Sequence, residues 1–165
     1  MRIVDPLIAE FEQEAKTTRR VLERLPDAQW EWKPHEKSFT LGRLGHHVAT
    51  IPGFFAEVAQ VDAFDVANFK QVFSADCSEV LKRHDDGLAS AKANLAKIDN
   101  ERAMGMWSFQ RAGVAMVTLP RIVMIRSLLL NHWIHHRGVL TVYLRLLNIP
   151  VPAIYGPSAD DNPFA

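Results

Sequence analysis

The sequence predicts an all-α protein, a four-helix bundle. Four stretches repeat apolar residues at steps of three and four, and prolines or mixed polar segments separate them. Only one stretch, between Ala103 and Thr118, has the glycine-flanked, β-prone character that argues against helix. At 165 residues the chain fits a single domain spanning 1–165, large enough for a proper core.

The first helix is expected to open at Asp5-Pro6, a capping carboxylate followed by a proline at the first helical position. Leu7, Phe11, Ala15, Thr18, Leu22 and Leu25 form its inner face, and Pro26 stops it. The segment DAQWEWKPHEKSFT then reads as an ordered loop whose Trp30 and Trp32 cover one end of the core. A second helix opens near Ser38 or Thr40 and runs to about Gln60. Pro52 lies inside it and bends it within a turn of His47, either opening a pocket there or kinking a surface helix.

Residues 61–77 lack a period and read as a long crossover. The third helix, Ser78 to about Ile98, carries Val80 or Leu81, His84, Leu88, Ala91 and Leu95 inward. An irregular or hairpin-like insert follows. Pro120 opens the last helix, which ends near Asn148-Ile149-Pro150 and leads into an extended C-terminal arm.

Composition excludes several functions. Nineteen Lys and Arg balance nineteen Asp and Glu, so no basic field recommends a nucleic acid. The only cysteine, Cys77, excludes an internal disulfide and a thiolate-rich zinc site; it reads as a buried, inert thiol. No signal-like segment or apolar run long enough to span a membrane is present, and a cytoplasmic location is expected.

The chemistry lies in the histidines. The inward stripe of the last helix reads Ile122, Ile125, Leu129, His132, His136, Val139, Tyr143, Leu146, placing two imidazoles one turn apart where leucines belong. His47 occupies the corresponding stripe of the second helix, between Leu44 and Ile51. A buried imidazole without a partner costs about 1–3 kcal/mol, and one divalent ion held by all three would remove that cost. Three nitrogen ligands leave a coordination position open, as catalytic sites do. Imidazole ligation suits zinc, nickel, iron or copper alike; zinc or nickel is expected first, with iron or manganese next. His46 and His135 fall off the stripe by about a hundred degrees and are assigned to flanking positions. His84 competes for a ligand role, and its neighbours Asp85 and Asp86 make a boundary or surface position an equal alternative. No HExxH or repeated ExxH motif is present, which argues against a zinc peptidase or a di-iron bundle.

The combination of FTLGRLGHHVATIPGF, the LPR opening of the last helix and NHWIHHRGVLTVYLRLLNIPVPAIYGPSADD resembles the DinB-like superfamily of metal-dependent four-helix bundles, over essentially the whole chain. The resemblance implies an up-down-down-up connection, a homodimer, and a divalent ion on three histidines matching His47, His132 and His136. It also implies an activity among thiol S-transferases, which join bacillithiol, mycothiol or glutathione to an electrophile, or among isomerases and hydrolases. Val139 stands where relatives often carry glutamine, which removes any contact that glutamine would make.

The expected function is therefore activation of a small thiol or water against a small electrophilic substrate, with the catalytic residues unknown. The alternative is a non-catalytic metal-binding or ligand-sensing homodimer. Among single residues, Arg137 is expected in a salt bridge or dimer contact, and Tyr143 as a core tyrosine with its hydroxyl satisfied. Tyr155, Asp160 and Asp161 are expected to anchor the arm or a partner subunit. Trp107 and Phe109 are candidates for a pocket mouth.

Overall fold

The computed structural model describes residues 1–164. Helix α1 (Asp5–Leu22) carries Pro6 in its first turn, where a missing N–H is harmless. Asp5 does not cap it; its carboxylate instead accepts bonds from the backbone N–H and Nε of Arg2, at 2.7 and 2.9 Å. Helix α2 (Leu41–Val58) is capped by Thr40, whose hydroxyl accepts the Arg43 N–H, and it contains Pro52. Helix α3 (Cys77–Leu95) is capped by Asp76. The short α4 (Asn100–Met104) is capped by Asp99.

The last helical run has three parts. It opens as α5 (Arg121–Met124), passes through a π-helical stretch, Ile125–Asn131, and continues as α6 (His132–Leu146). Together with α1, α2 and α3 it encloses one apolar core, in which Phe11, Leu22, Leu44, Val48, Val80, Leu95, Leu129 and Trp133 are buried. Trp30 and Trp32 cover one end as expected. A Cβ on Gly42 would strike the Trp30 indole, and Trp32 meets Tyr143 edge-on at 5.6 Å.

The fold is mostly helical but not all-α. Strands β1 (Ala63–Asp65), β2 (Met106–Arg111) and β3 (Val114–Pro120) form a sheet in that order, parallel between β1 and β2 and antiparallel between β2 and β3. The expected crossover thus holds a strand, too short to show a period of two. The expected insert is a hairpin closed by Ala112 and Gly113, both at positive φ. The Asp65 carboxylate accepts the N–H groups of both turn residues and of Ala67, which ties the crossover to the hairpin.

The inward stripe of the last helix also needs correction. Leu129 and Leu130 are both fully buried, whereas Leu146 is exposed. The wider π turn admits an extra residue, so positions beyond it rotate out of an uninterrupted 3.6-residue frame. Trp133, Arg137, Leu140 and Leu144 occupy the centre of the buried face, and His132 and His136 lie at its half-buried border. Among the described residues, no helix is long and apolar enough to cross a membrane.

Candidate metal centre

Helix α2 presents His47, and α6 presents His132 and His136 one turn apart. Their rings converge: His47 and His136 lie 4.5 Å apart between centroids, His132 and His136 4.6 Å, and His47 and His132 5.0 Å. Nε2 of His47 stands 3.2 Å from Nε2 of His132. One ring nitrogen from each of the three lies within 4.8 Å of the others. The three residues chosen from the sequence are therefore brought together.

These nitrogens fit a single ion. A tetrahedral zinc with bonds of about 2.0–2.1 Å separates its nitrogen ligands by about 3.3 Å, close to the His47–His132 spacing. The Nδ1 of His132 is buried and without a hydrogen-bond partner, while its Nε2 is turned toward His47. That orientation leaves Nε2 as its ligand atom. Burial, and then the neighbouring imidazoles, push the values of His47 and His136 down to about 4, and burial lowers that of His132. All three are neutral at pH 7, with lone pairs free to donate.

The other histidines are placed differently. His46 is buried, and its Nδ1 accepts the Ser74 N–H at 3.0 Å, with the Ser74 hydroxyl at 2.9 Å. It fixes the loop before α3. His135 is exposed beside His136, their rings 4.9 Å apart. His84 lies outside the cluster, fully buried 6.0 Å from the Trp133 ring, with neither ring nitrogen hydrogen-bonded.

A cavity of roughly 500 Å³ opens beside His47 and His132 and runs along α2 past Gly53, Phe54 and Phe55 to α3 and the loop after β1. The Pro52 region thus borders a pocket. The signal for its wall was Phe54-Phe55 directly after Pro52-Gly53; Arg83 and Phe69 gave no signal. Trp107 is not at its mouth. That indole is fully buried and donates to the Val58 carbonyl at 3.0 Å, and Phe109 packs on Trp107 and Phe64.

Arg137, next to His136, is fully buried in an ion pair with Glu14 at 2.5 Å, as a salt bridge predicts. It also donates to the Tyr155 hydroxyl at 2.7 Å, and that hydroxyl donates to Glu14 at 2.9 Å. Asp160 pairs with Arg145 at 2.5 Å and Asp161 pairs with Arg20, so all three tail residues anchor the arm to its own chain. Tyr143 is buried with its hydroxyl toward the Phe39 carbonyl at 3.4 Å. Cys77 is half-buried, donates to the Leu22 carbonyl, and has its thiol value raised by burial and then by Asp27. A raised value disfavours the thiolate a nucleophile would need.

Comparison with known proteins gives concordant results. The model of the DinB family matches residues 2–162. The uncharacterized protein YrdA of Bacillus subtilis (strain 168) is 24% identical over 164 residues, covering 96% of this chain and 91% of its own length. Two crystal structures share the fold at 18% identity each. A DinB-like protein of Bacillus cereus ATCC 10987 superposes with a TM-score of 0.70, covering 89% of this chain and 94% of that one. The DinB-like protein YjoA of Bacillus subtilis does so with a TM-score of 0.69, covering 95% and 99%.

Proposed function

This chain belongs to the DinB family, and from that premise we propose that it is a metal-dependent enzyme in which His47, His132 and His136 hold one divalent ion. The all-imidazole set suits zinc or nickel, the first candidates, with iron or manganese next. The reaction is activation of a small thiol, or of water, for attack on a small electrophile, as in a thiol S-transferase or a hydrolase. The observation that carries this reading is the convergence of three neutral imidazoles, with no carboxylate or thiolate among them, at the edge of a cavity.

When bound in such a site, a divalent ion lowers the pKa of a coordinated water to about 7 or deprotonates a coordinated thiol. The chain's own residues prepare that chemistry. Burial keeps protons off His47 and His136 at neutral pH. The rings of Phe39 and Phe55 stand edge-on to His47 and His132, at 6.0 and 5.8 Å, and keep water from their flanks. Among the described residues no protein nucleophile lies in the cluster, so the attacking group comes from outside. The same reading carries an up-down-down-up four-helix bundle, a homodimer and a cytoplasmic site of action, as the family resemblance implies.

The test is metal content by plasma mass spectrometry on protein purified without a histidine tag. The wild type and His135→Ala should carry near-stoichiometric metal, and His132→Ala should carry none. Metal-free wild type after reconstitution with each candidate ion would overturn the proposal.

A further inference from the structure

The cavity beside the histidines has an internal polarity that points to a substrate class. Its volume of roughly 500 Å³ lies within the range of about 300–1,000 Å³ that encloses small-molecule ligands. One wall is aromatic. The Phe55 ring lies 5.8 Å from the His132 ring, Phe54 lies 5.0 Å from Phe55, and Phe69 lies 4.9 Å from Phe54. These contacts make a continuous apolar track leading away from the histidine cluster.

Arg83, on α3, lines the same cavity and is half-buried. Its Nε and Nη2 both donate to one oxygen of Glu79, at 3.3 and 2.8 Å. Glu79 is itself held by the Ala75 N–H at 2.8 Å. One edge of the guanidinium is thereby clamped. Its Nη1 makes no hydrogen bond among the described residues, so the Nη1–Nη2 edge keeps two donors in a fixed plane. The remaining charges on the lining are exposed. Asp86 is paired with Lys82 at 2.5 Å, and Lys70 and Glu57 are opposite in sign. Among the described residues, Arg83 is the only charged group set into the wall.

We propose that this cavity binds a small molecule with a flat apolar body and a terminal carboxylate, the body along Phe54, Phe55 and Phe69 and the carboxylate on the free edge of Arg83. A clamped guanidinium receives a carboxylate through two parallel hydrogen bonds without further loss of side-chain freedom. The other end of the ligand then faces His47 and His132. The inference rests on the proposed metal site only for which end reacts, and the binding itself needs no ion.

The test uses three probes of one shape: 4-phenylbutyrate, 4-phenylbutan-1-ol and 4-phenylbutylamine. Their affinities are measured by protein-observed NMR on chelator-treated protein, so that no carboxylate is held by metal. The acid should bind about tenfold or more tightly than the alcohol, and the amine most weakly. Arg83→Gln should bring acid and alcohol within about twofold, and Arg83→Lys should keep part of the preference. Phe54→Ala should weaken acid and alcohol by a common factor. Thermal melts of each variant confirm that the fold is intact.

Equal binding of acid and alcohol by the wild type, or a preference that survives Arg83→Gln, would overturn the inference. A preference seen only in metal-loaded protein would overturn it too, while supporting the histidine site. An Arg83-dependent preference in protein that takes up no ion would sustain it and refute the metal reading.

Discussion

Gly53 of α2 and Gly87 of α3 meet backbone to backbone. A Cβ built on Gly53 would stand 3.0 Å from the Gly87 Cα, whereas one on Gly87 would find nothing nearer than the Gly53 nitrogen at 3.6 Å. Both glycines border the cavity, so this contact sets how closely the two helices approach there. The two alanine substitutions should therefore differ in sign. Gly87→Ala meets only ordinary contact and should gain about 0.5–1 kcal/mol of helix propensity. Gly53→Ala must push backbone against backbone and should lose about 1–3 kcal/mol. Urea denaturation of the two variants measures both.

His84 should contribute to acid sensitivity alongside His47 and His136, whose values are lowered equally. Its folded-state value is pushed down to about 4, chiefly by burial, against 6.5 in the unfolded chain. Between these values the unfolded state binds the proton and the folded state does not. The stabilisation is thus complete above about pH 6.5 and lost as pH falls toward 4, at up to about 1.4 kcal/mol per pH unit. His84→Leu removes a ring with two unpaired nitrogens. Its melting temperature should exceed that of the wild type by more at pH 5 than at pH 8. An equal difference at both pH values would refute this origin.

The arm should depend on the buried pair beneath it. Glu14→Ala leaves the Arg137 guanidinium buried without its counter-charge and should cost about 3–5 kcal/mol. Tyr155→Phe removes one hydroxyl that bonds both partners, with an expected loss of about 1–2 kcal/mol. Denaturation midpoints give the energies. Faster proteolysis after residue 147 in Tyr155→Phe would show that the loss lies in the arm.

The hairpin turn carries a correctable strain. Ala112 sits at φ 50°, followed by Gly113 at φ 77°. Asn-Gly is the preferred pair for such a two-residue turn, so Ala112→Asn should stabilise the protein by about 0.5–1 kcal/mol. Asp65→Ala should undo more than this, because three N–H groups lose their acceptor. Thermal melts of the two variants give both signs.

Local rules served well where a residue's neighbours lie within a turn or two. The period of three and four located all four long helices, and the spacing of His132 and His136 placed both on one face toward His47. They failed where distant chain decides. β1 spans three residues and exists because β2, more than forty positions on, pairs with it. The salt bridge expected of Arg137 forms, but its partner Glu14 lies 123 positions away, beyond the reach of any local pattern. The period places His84 inward while Asp85 and Asp86 beside it argue for the surface, and only the packed fold decides for burial. The frame error at Leu146 has the same character, since a π turn leaves no periodic mark of its own.

That π turn makes the candidate centre vulnerable in an all-or-none way. If the stretch Ile125–Asn131 closed into ordinary α-helix with all its residues kept, everything after it would swing by about 100°. His132 and His136 share one rigid face, so they would depart together while His47 stayed in place. A change of hydrogen-bond pattern alone would thus act as a hinge pin withdrawn: the helix survives, the core face turns, and two of three imidazoles leave in one movement.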